Sequence, residues 1–255
     1  MPRYFLEVSY KGTAYSGFQT QQNANTVQAE IEKAFQILQK DKIIMTGSSR
    51  TDAGVHALQN FFHFDSINPL GLWKEEETGA QFVYKLNAIL PDDIVIKNLK
   101  LVSDNAHCRF DAISREYNYN IYNKKNPFLK EMAFFFPYKL DIEKLKLAAE
   151  IIKTYDDFTS FSKRNTQAKT FICNIHESKW IIKDNQLVYN VKANRFLRGM
   201  VRALTATMLK VGRGKLTIDE FKNIIESKDC TRASFAVPAH GLFLIAVEYL
   251  ENYNK

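Results

Sequence analysis

Two successive stretches of this chain carry the same order of strand-like and helix-like periodicity, and that doubled order restricts the fold more than any single motif. Tyr4, Leu6, Val8 and Tyr10 alternate with Phe5, Glu7 and Ser9, the period of a strand. Val27, Ile31, Ala34, Phe35 and Leu38 then recur at helical spacing, with Asn25 or Thr26 available as a cap. Strands near 42–47 and 58–65, a helix near 80–90 and a strand near 94–102 complete the order β-α-β-β-α-β, the split βαβ pattern of a ferredoxin-like unit. The remainder repeats it. Tyr117, Tyr119 and Ile121 alternate as a strand, and Asp141 caps a helix near 141–153 with Leu145, Ala148, Ala149 and Ile152 as its apolar stripe. Strands near 171–182 and 186–193, a long helix near 196–211, an extra helix near 217–226 and a last strand from Leu242 to Leu250 follow. The expectation is an α+β chain of two ferredoxin-like (RRM-like) halves, residues 1–104 and 105–255. These would join edge to edge into one long mixed or antiparallel sheet, with helices on one face and a central catalytic cleft. Gly71 to Gly79, with the run Lys74-Glu75-Glu76-Glu77, reads as a solvated loop insertion.

The balance of 35 basic against 28 acidic residues leaves +7, which favours a polyanionic partner. Nineteen Phe and twelve Tyr fill the core and leave rings for base stacking. Cys108, Cys173 and Cys230 are odd in number and widely spaced, as expected in a reducing compartment rather than in a disulfide framework. His107-Cys108 is the only adjacent pair of metal-ligand types, and without finger-like spacing elsewhere no metal is expected. The opening Met1-Pro2-Arg3 meets a charge before any signal-peptide core, and no apolar run approaches the ~20 residues of a membrane helix. A cytoplasmic protein without membrane partners is expected.

The segment Ser49-Arg50-Thr51-Asp52-Ala53-Gly54-Val55-His56-Ala57 crowds an arginine, a carboxylate and a histidine around one glycine turn. A carboxylate on a loop between strands is placed to meet a ligand; the plainer reading is an Asx-turn aspartate bonding its own backbone. A catalytic carboxylate in a closed pocket needs a cation to stay ionised. The stretch Arg195-Phe196-Leu197-Arg198-Gly199-Met200-Val201-Arg202 offers Arg195, Arg198 and Arg202 on one helical face, or else a solvated stripe. Gly199 inside that helix costs about 1 kcal/mol relative to alanine and hints at a close approach. Tyr117 either stacks on a base or belongs to the sheet core. Arg109-Phe110 and Lys163-Arg164 add basic contacts for phosphates.

Taken together these residues resemble the TruA family of tRNA pseudouridine synthases. The resemblance rests on Tyr10-Lys11-Gly12-Thr13 with Tyr15-Ser16-Gly17-Phe18-Gln19, on Arg50 to Ala57, on Leu86 to Pro91, and on Ala106 to Phe110. Arg115 to Tyr119, Phe196-Leu197-Arg198 with Met200-Val201-Arg202, and Gly241 to Leu244 continue it in order. Phe18 stands where tryptophan is usual in the family, and Ser49 where glycine is. The resemblance implies isomerisation of uridine to pseudouridine in the tRNA anticodon stem-loop, without metal or organic cofactor, by a homodimer that grips tRNA. It implies Asp52 as the reacting carboxylate, Arg202 as its cation, and Tyr117 as the stacking and proton-exchanging ring. Leu242, or Leu244 if the register differs, forms the opposite wall of the base pocket. Arg50 fills the space left by the flipped base, and Arg109, Arg164, Arg195 and Arg198 bind phosphates.

Two other readings stay open on the residues alone. A non-catalytic RNA-binding module accounts for the charge and the tyrosines but gives Asp52 no role, since a carboxylate repels phosphate. An unrelated acid–base hydrolase using Asp52 and His56 leaves the basic stretch unexplained.

Overall fold

The computed structural model describes residues 1–40, 43–66, 76–166 and 168–250. Among them lie nine strands and five helices, so the mixed α+β class expected from the periodicity is borne out. The chain separates into two compact units, one of Met1–Ile113 with the C-terminal stretch from Leu244, the other of Ser114–Phe243.

In the first unit, β1 (Arg3–Tyr10), α1 (Val27–Gln39), β2 (Thr46–Gly47), β3 (His56–Asp65), α2 (Glu76–Ile89) and β4 (Ile94–Val102) follow in the predicted order. β1 pairs antiparallel with β3 on one side and β4 on the other, and β2 pairs with β3. β2 is only two residues long, so of the strand expected over 42–47 only Thr46 and Gly47 are paired; Lys42 lies outside the described residues. The Lys74–Glu77 run is described only from Glu76, where α2 already begins, so Glu76 to Gly79 are helix rather than loop.

Thr26 starts α1 by accepting the Ala29 N–H on its hydroxyl at 3.3 Å, and Lys40 ends it in a left-handed turn with φ 59°. Val27, Ile31, Ala34 and Phe35 are buried along one stripe. Phe35 meets Phe64 of β3 and Phe82 of α2 edge-on, with ring centroids 5.1 and 5.4 Å apart. Period-two alternation sends Phe5 and Phe61 to the other face, where they pack with Val102, Ala106, Cys108 and Tyr249.

The second unit holds β5 (Ser114–Tyr122), β6 (Phe134–Phe135), α3 (Ile142–Ile152), β7 (Ile175–Lys183), β8 (Gln186–Ala193), α4 (Met200–Gly212) and α5 (Ile218–Glu226). β8 pairs antiparallel with β5 and with β7, while β6 runs parallel to β5. Asp141 caps α3 as expected, its carboxylate accepting the Lys144 N–H. Every residue of α4 except Arg202 and Lys210 is buried. The buried hydroxyls of Thr205 and Thr207 donate back to the Val201 and Ala203 carbonyls, each at 2.8 Å. A last strand, β9 (Leu242–Glu248), begins in the second unit and ends in the first. None of the described helices is long and apolar enough to cross a membrane.

Behind β2, His63, His107 and Cys108 cluster in the first unit, with one ligand-type atom from each within 4.8 Å of the others. Sequence pairs only the last two. His63 Nδ1 lies 3.2 Å from the Cys108 thiol, and His107 Nδ1 accepts the Arg109 and Phe110 N–H groups. Burial first, then the neighbouring His107 and Arg3 charges, hold His63 down at about 4. The unfolded chain protonates this imidazole below pH about 6.5, the folded chain only near 4, so stability is lost as pH falls through that window. The loss is up to about 3 kcal/mol on complete retention of the shift. Urea midpoints at pH 7.5 and 4.5 are expected to diverge less for His63→Gln than for the wild type; an unchanged divergence refutes the linkage.

Candidate active site

Between β2 and β3 the chain turns through Ser48 to Val55, and the turn is held from three sides. The Asn60 amide of β3 donates to the Ser49 carbonyl at 3.0 Å and accepts the Ser49 N–H at 3.3 Å. The Tyr10 hydroxyl lies 2.8 Å from Thr51 Oγ1, and the Phe18 N–H donates to the Thr51 carbonyl. His56 is buried and accepts the Gly12 N–H on Nδ1 at 3.1 Å, which puts its proton on Nε2. His56 is therefore a brace for the loop.

Within the turn, the Val55 N–H closes onto the Asp52 carbonyl at 3.2 Å. Gly54 supplies the φ of +78° that the turn demands. Ser49, at the position where the family usually has glycine, needs no left-handed backbone. Gly17, with φ +108°, lets the Phe18 segment lie against the Thr51 carbonyl, where a Cβ would stand 3.1 Å away. Asp52 is half-buried on this fixed backbone, with Arg50 exposed two residues before it.

Arg109 also belongs to the first unit. A pocket of about 140 Å³ opens beside the loop, lined by Phe18, Gln19, Gln28, Met45, Thr46, Gly47, Arg50 and Arg109. Phe18 stacks on Phe62 at 4.5 Å, and Gly47 admits its ring where a Cβ would come within 2.0 Å. Phenylalanine thus fills the place usual for tryptophan within a complete aromatic stack.

Tyr117, Arg164, Arg195, Arg198, Arg202 and Leu242 belong to the second unit. Tyr117 is half-buried in β5 and meets Phe196 edge-on at 5.1 Å. Arg202, in the first turn of α4, donates from Nε and Nη2 to the Val237 carbonyl at 3.1 and 2.7 Å. The Tyr119 hydroxyl donates to the next carbonyl, that of Pro238, at 2.7 Å. Together they fix the segment leading into Leu242, an anchoring that sequence reasoning missed. Leu242 and Leu244 are both buried.

The expected arginine stripe is corrected. α4 begins at Met200, not near 196, so Arg195 and Arg198 precede the helix and only Arg202 lies on it. Gly199 is the N-cap in a left-handed conformation, φ +76°, where the Lys163 chain passes within 3.1 Å of a built Cβ. The Lys163 N–H donates to the Arg198 carbonyl, so that segment follows a neighbouring loop rather than the helical ladder. Arg198 and Arg164 are exposed and Arg195 is half-buried beside Cys173, whose thiol burial pushes up to about 11.

A family model described as tRNA pseudouridine synthase matches residues 7–111 and 154–250. Among curated proteins, tRNA pseudouridine synthase A of Parabacteroides distasonis is 44% identical over 251 residues, covering 98% of this chain and 97% of its own. The same-named protein of Porphyromonas gingivalis is 43% identical, covering 98% of each chain. That of Staphylococcus aureus strain MRSA252 is 35% identical over 254 residues, 98% of this chain and 93% of its own. With a family model and relatives that span nearly its whole length, the chain belongs to the TruA family of tRNA pseudouridine synthases.

Proposed function

We propose that this chain converts uridine to pseudouridine in the anticodon stem-loop of tRNA, with Asp52 as the reacting carboxylate. The observation that carries the assignment is the braced turn: Asn60, Tyr10 and His56 fix the backbone on both sides of Asp52. A nucleophile held in one orientation meets its target without a further entropy cost.

The reaction breaks the N1–C1′ bond, turns the uracil and forms C5–C1′. The C5 proton is lost and N1 regains one. Asp52 serves by attack at C1′ or C6 or as a base on the sugar, and each route needs an ionised carboxylate. Tyr117 takes the stacking role, with its hydroxyl exchanging the C5 proton. Arg202 supplies the cation and Leu242 an apolar wall for the base. Arg164, Arg195 and Arg198 contact phosphates, which makes binding salt-dependent. The same reading extends to a homodimer acting in the cytoplasm without metal or organic cofactor.

The test is tritium release from a tRNA transcript labelled at uracil C5, run with and without EDTA. Release is expected; none at any protein concentration refutes the isomerase reading, and release abolished only by EDTA refutes the metal-free one. Tyr117→Phe separates the roles of the ring, since stacking survives and the hydroxyl does not. RNA affinity is expected to stay within about twofold while release slows by about 10²-fold. Unchanged release removes the hydroxyl from the chemistry.

A further inference from the structure

The pocket beside the Asp52 turn has two cationic rim residues, Arg50 and Arg109, and no carboxylate among its lining residues. At about 140 Å³ it is smaller than the roughly 300–1,000 Å³ that whole ligands and cofactors occupy. A single phosphate-sized group suits it. Its walls are built. Gln28 is buried and its amide is fully engaged, donating to the Met45 carbonyl and Glu32 at 2.8 Å and accepting the Thr20 N–H at 3.3 Å.

Both arginines sit on fixed backbone. Arg50 stands between Ser49, held by Asn60, and Thr51, next to the Tyr10 hydroxyl. Arg109 follows Cys108, whose thiol donates to the Thr46 carbonyl at 3.1 Å and so ties the Arg109 segment to β2. The Arg109 N–H is itself bound by His107 Nδ1 at 3.2 Å. The His63–His107–Cys108 cluster thereby gains a purpose as the mount of one rim of the pocket.

We infer that this pocket is a phosphate subsite, in which Arg50 and Arg109 together hold one phosphodiester of the RNA strand that carries the target uridine. Guanidinium forks suit phosphate oxygens, and two of them over a small polar recess bind one phosphate better than a base. Two residues of chain span at most about 7 Å, so the phosphate held at Arg50 belongs to the target nucleotide or a near neighbour. The assignment rests on the proposed RNA substrate and gives Arg50 a phosphate partner beside the gap-filling role expected for it.

The test uses anticodon stem-loop RNAs that each carry one neutral methylphosphonate linkage at successive positions. One linkage is expected to weaken wild-type binding by about tenfold. Arg109→Ala is expected to lose about tenfold on unmodified RNA, to lower the slope of log affinity against log salt by about one, and to ignore that same linkage. Arg109→Lys, which keeps charge without the fork, is expected to fall between and guards against a folding defect. Equal sensitivity of wild type and Arg109→Ala at every linkage overturns the subsite. So does competition by inorganic phosphate, beyond chloride of matched ionic strength, that persists in Arg109→Ala. Tritium release from the unmodified RNA by the same wild-type preparation keeps the parent reading separate: its absence refutes the isomerase, whereas its presence without an Arg109-dependent linkage refutes only the subsite.

Discussion

Asp52→Asn is expected to lose tritium release by at least about 10³-fold while binding tRNA within about twofold of the wild type. The amide keeps the volume of the carboxylate but can neither attack carbon nor take a proton. The turn is held through Ser49, Thr51 and His56, so the substitution leaves its supports in place. Single-turnover release with enzyme in excess is the measurement, since it reads chemistry apart from product release. Turnover at a tenth of the wild-type rate would remove Asp52 from the role of reacting group and leave the braced turn in need of another explanation.

Gly12→Ala is expected to cost about 3 kcal/mol of stability and about 10²-fold in rate for the protein that remains folded. A Cβ on Gly12 would lie 2.0 Å from the Val55 carbonyl oxygen and 2.7 Å from its carbon. Both are backbone atoms, so no rotamer change relieves the overlap. Val55 closes the turn onto the Asp52 carbonyl, and the displaced backbone would carry the carboxylate with it. Chemical denaturation reads the first effect and single-turnover release the second. A variant of wild-type stability and rate would show that this contact does not set the turn.

The regular elements were legible where local signals agree. α3 spans Ile142–Ile152 against an expected 141–153, and β4 spans Ile94–Val102 where a strand near 94–102 is expected. The start of α4 was not legible, because Arg195, Arg198 and Arg202 share helical spacing whether or not the backbone is helical. Gly199 hinted at a close approach, but its left-handed conformation and the bond from the Lys163 N–H, thirty-five positions before Arg198, to the Arg198 carbonyl leave no local mark. The same holds at the candidate site. Asp52 stands out in sequence by its neighbours, but Asn60, Gly12 and His63 act through long-range hydrogen bonds and close packing. Tyr10 was visible as the end of the first strand and Gly12 only as part of a motif, neither with its contact to the Asp52 turn.

The return of β9 to the first unit has a consequence for the order in which this protein matures. Tyr249 covers Phe5 and Phe61 and donates to the Cys108 carbonyl, Val247 binds the Gln59 amide, and the Glu248 carbonyl receives the Ile113 N–H. Residues up to Ile113 leave the ribosome roughly 10 s or more before these partners at ordinary elongation rates. During that interval the nascent first unit carries an uncovered aromatic face. Closure of that face therefore waits until Val247, Glu248 and Tyr249 have been translated.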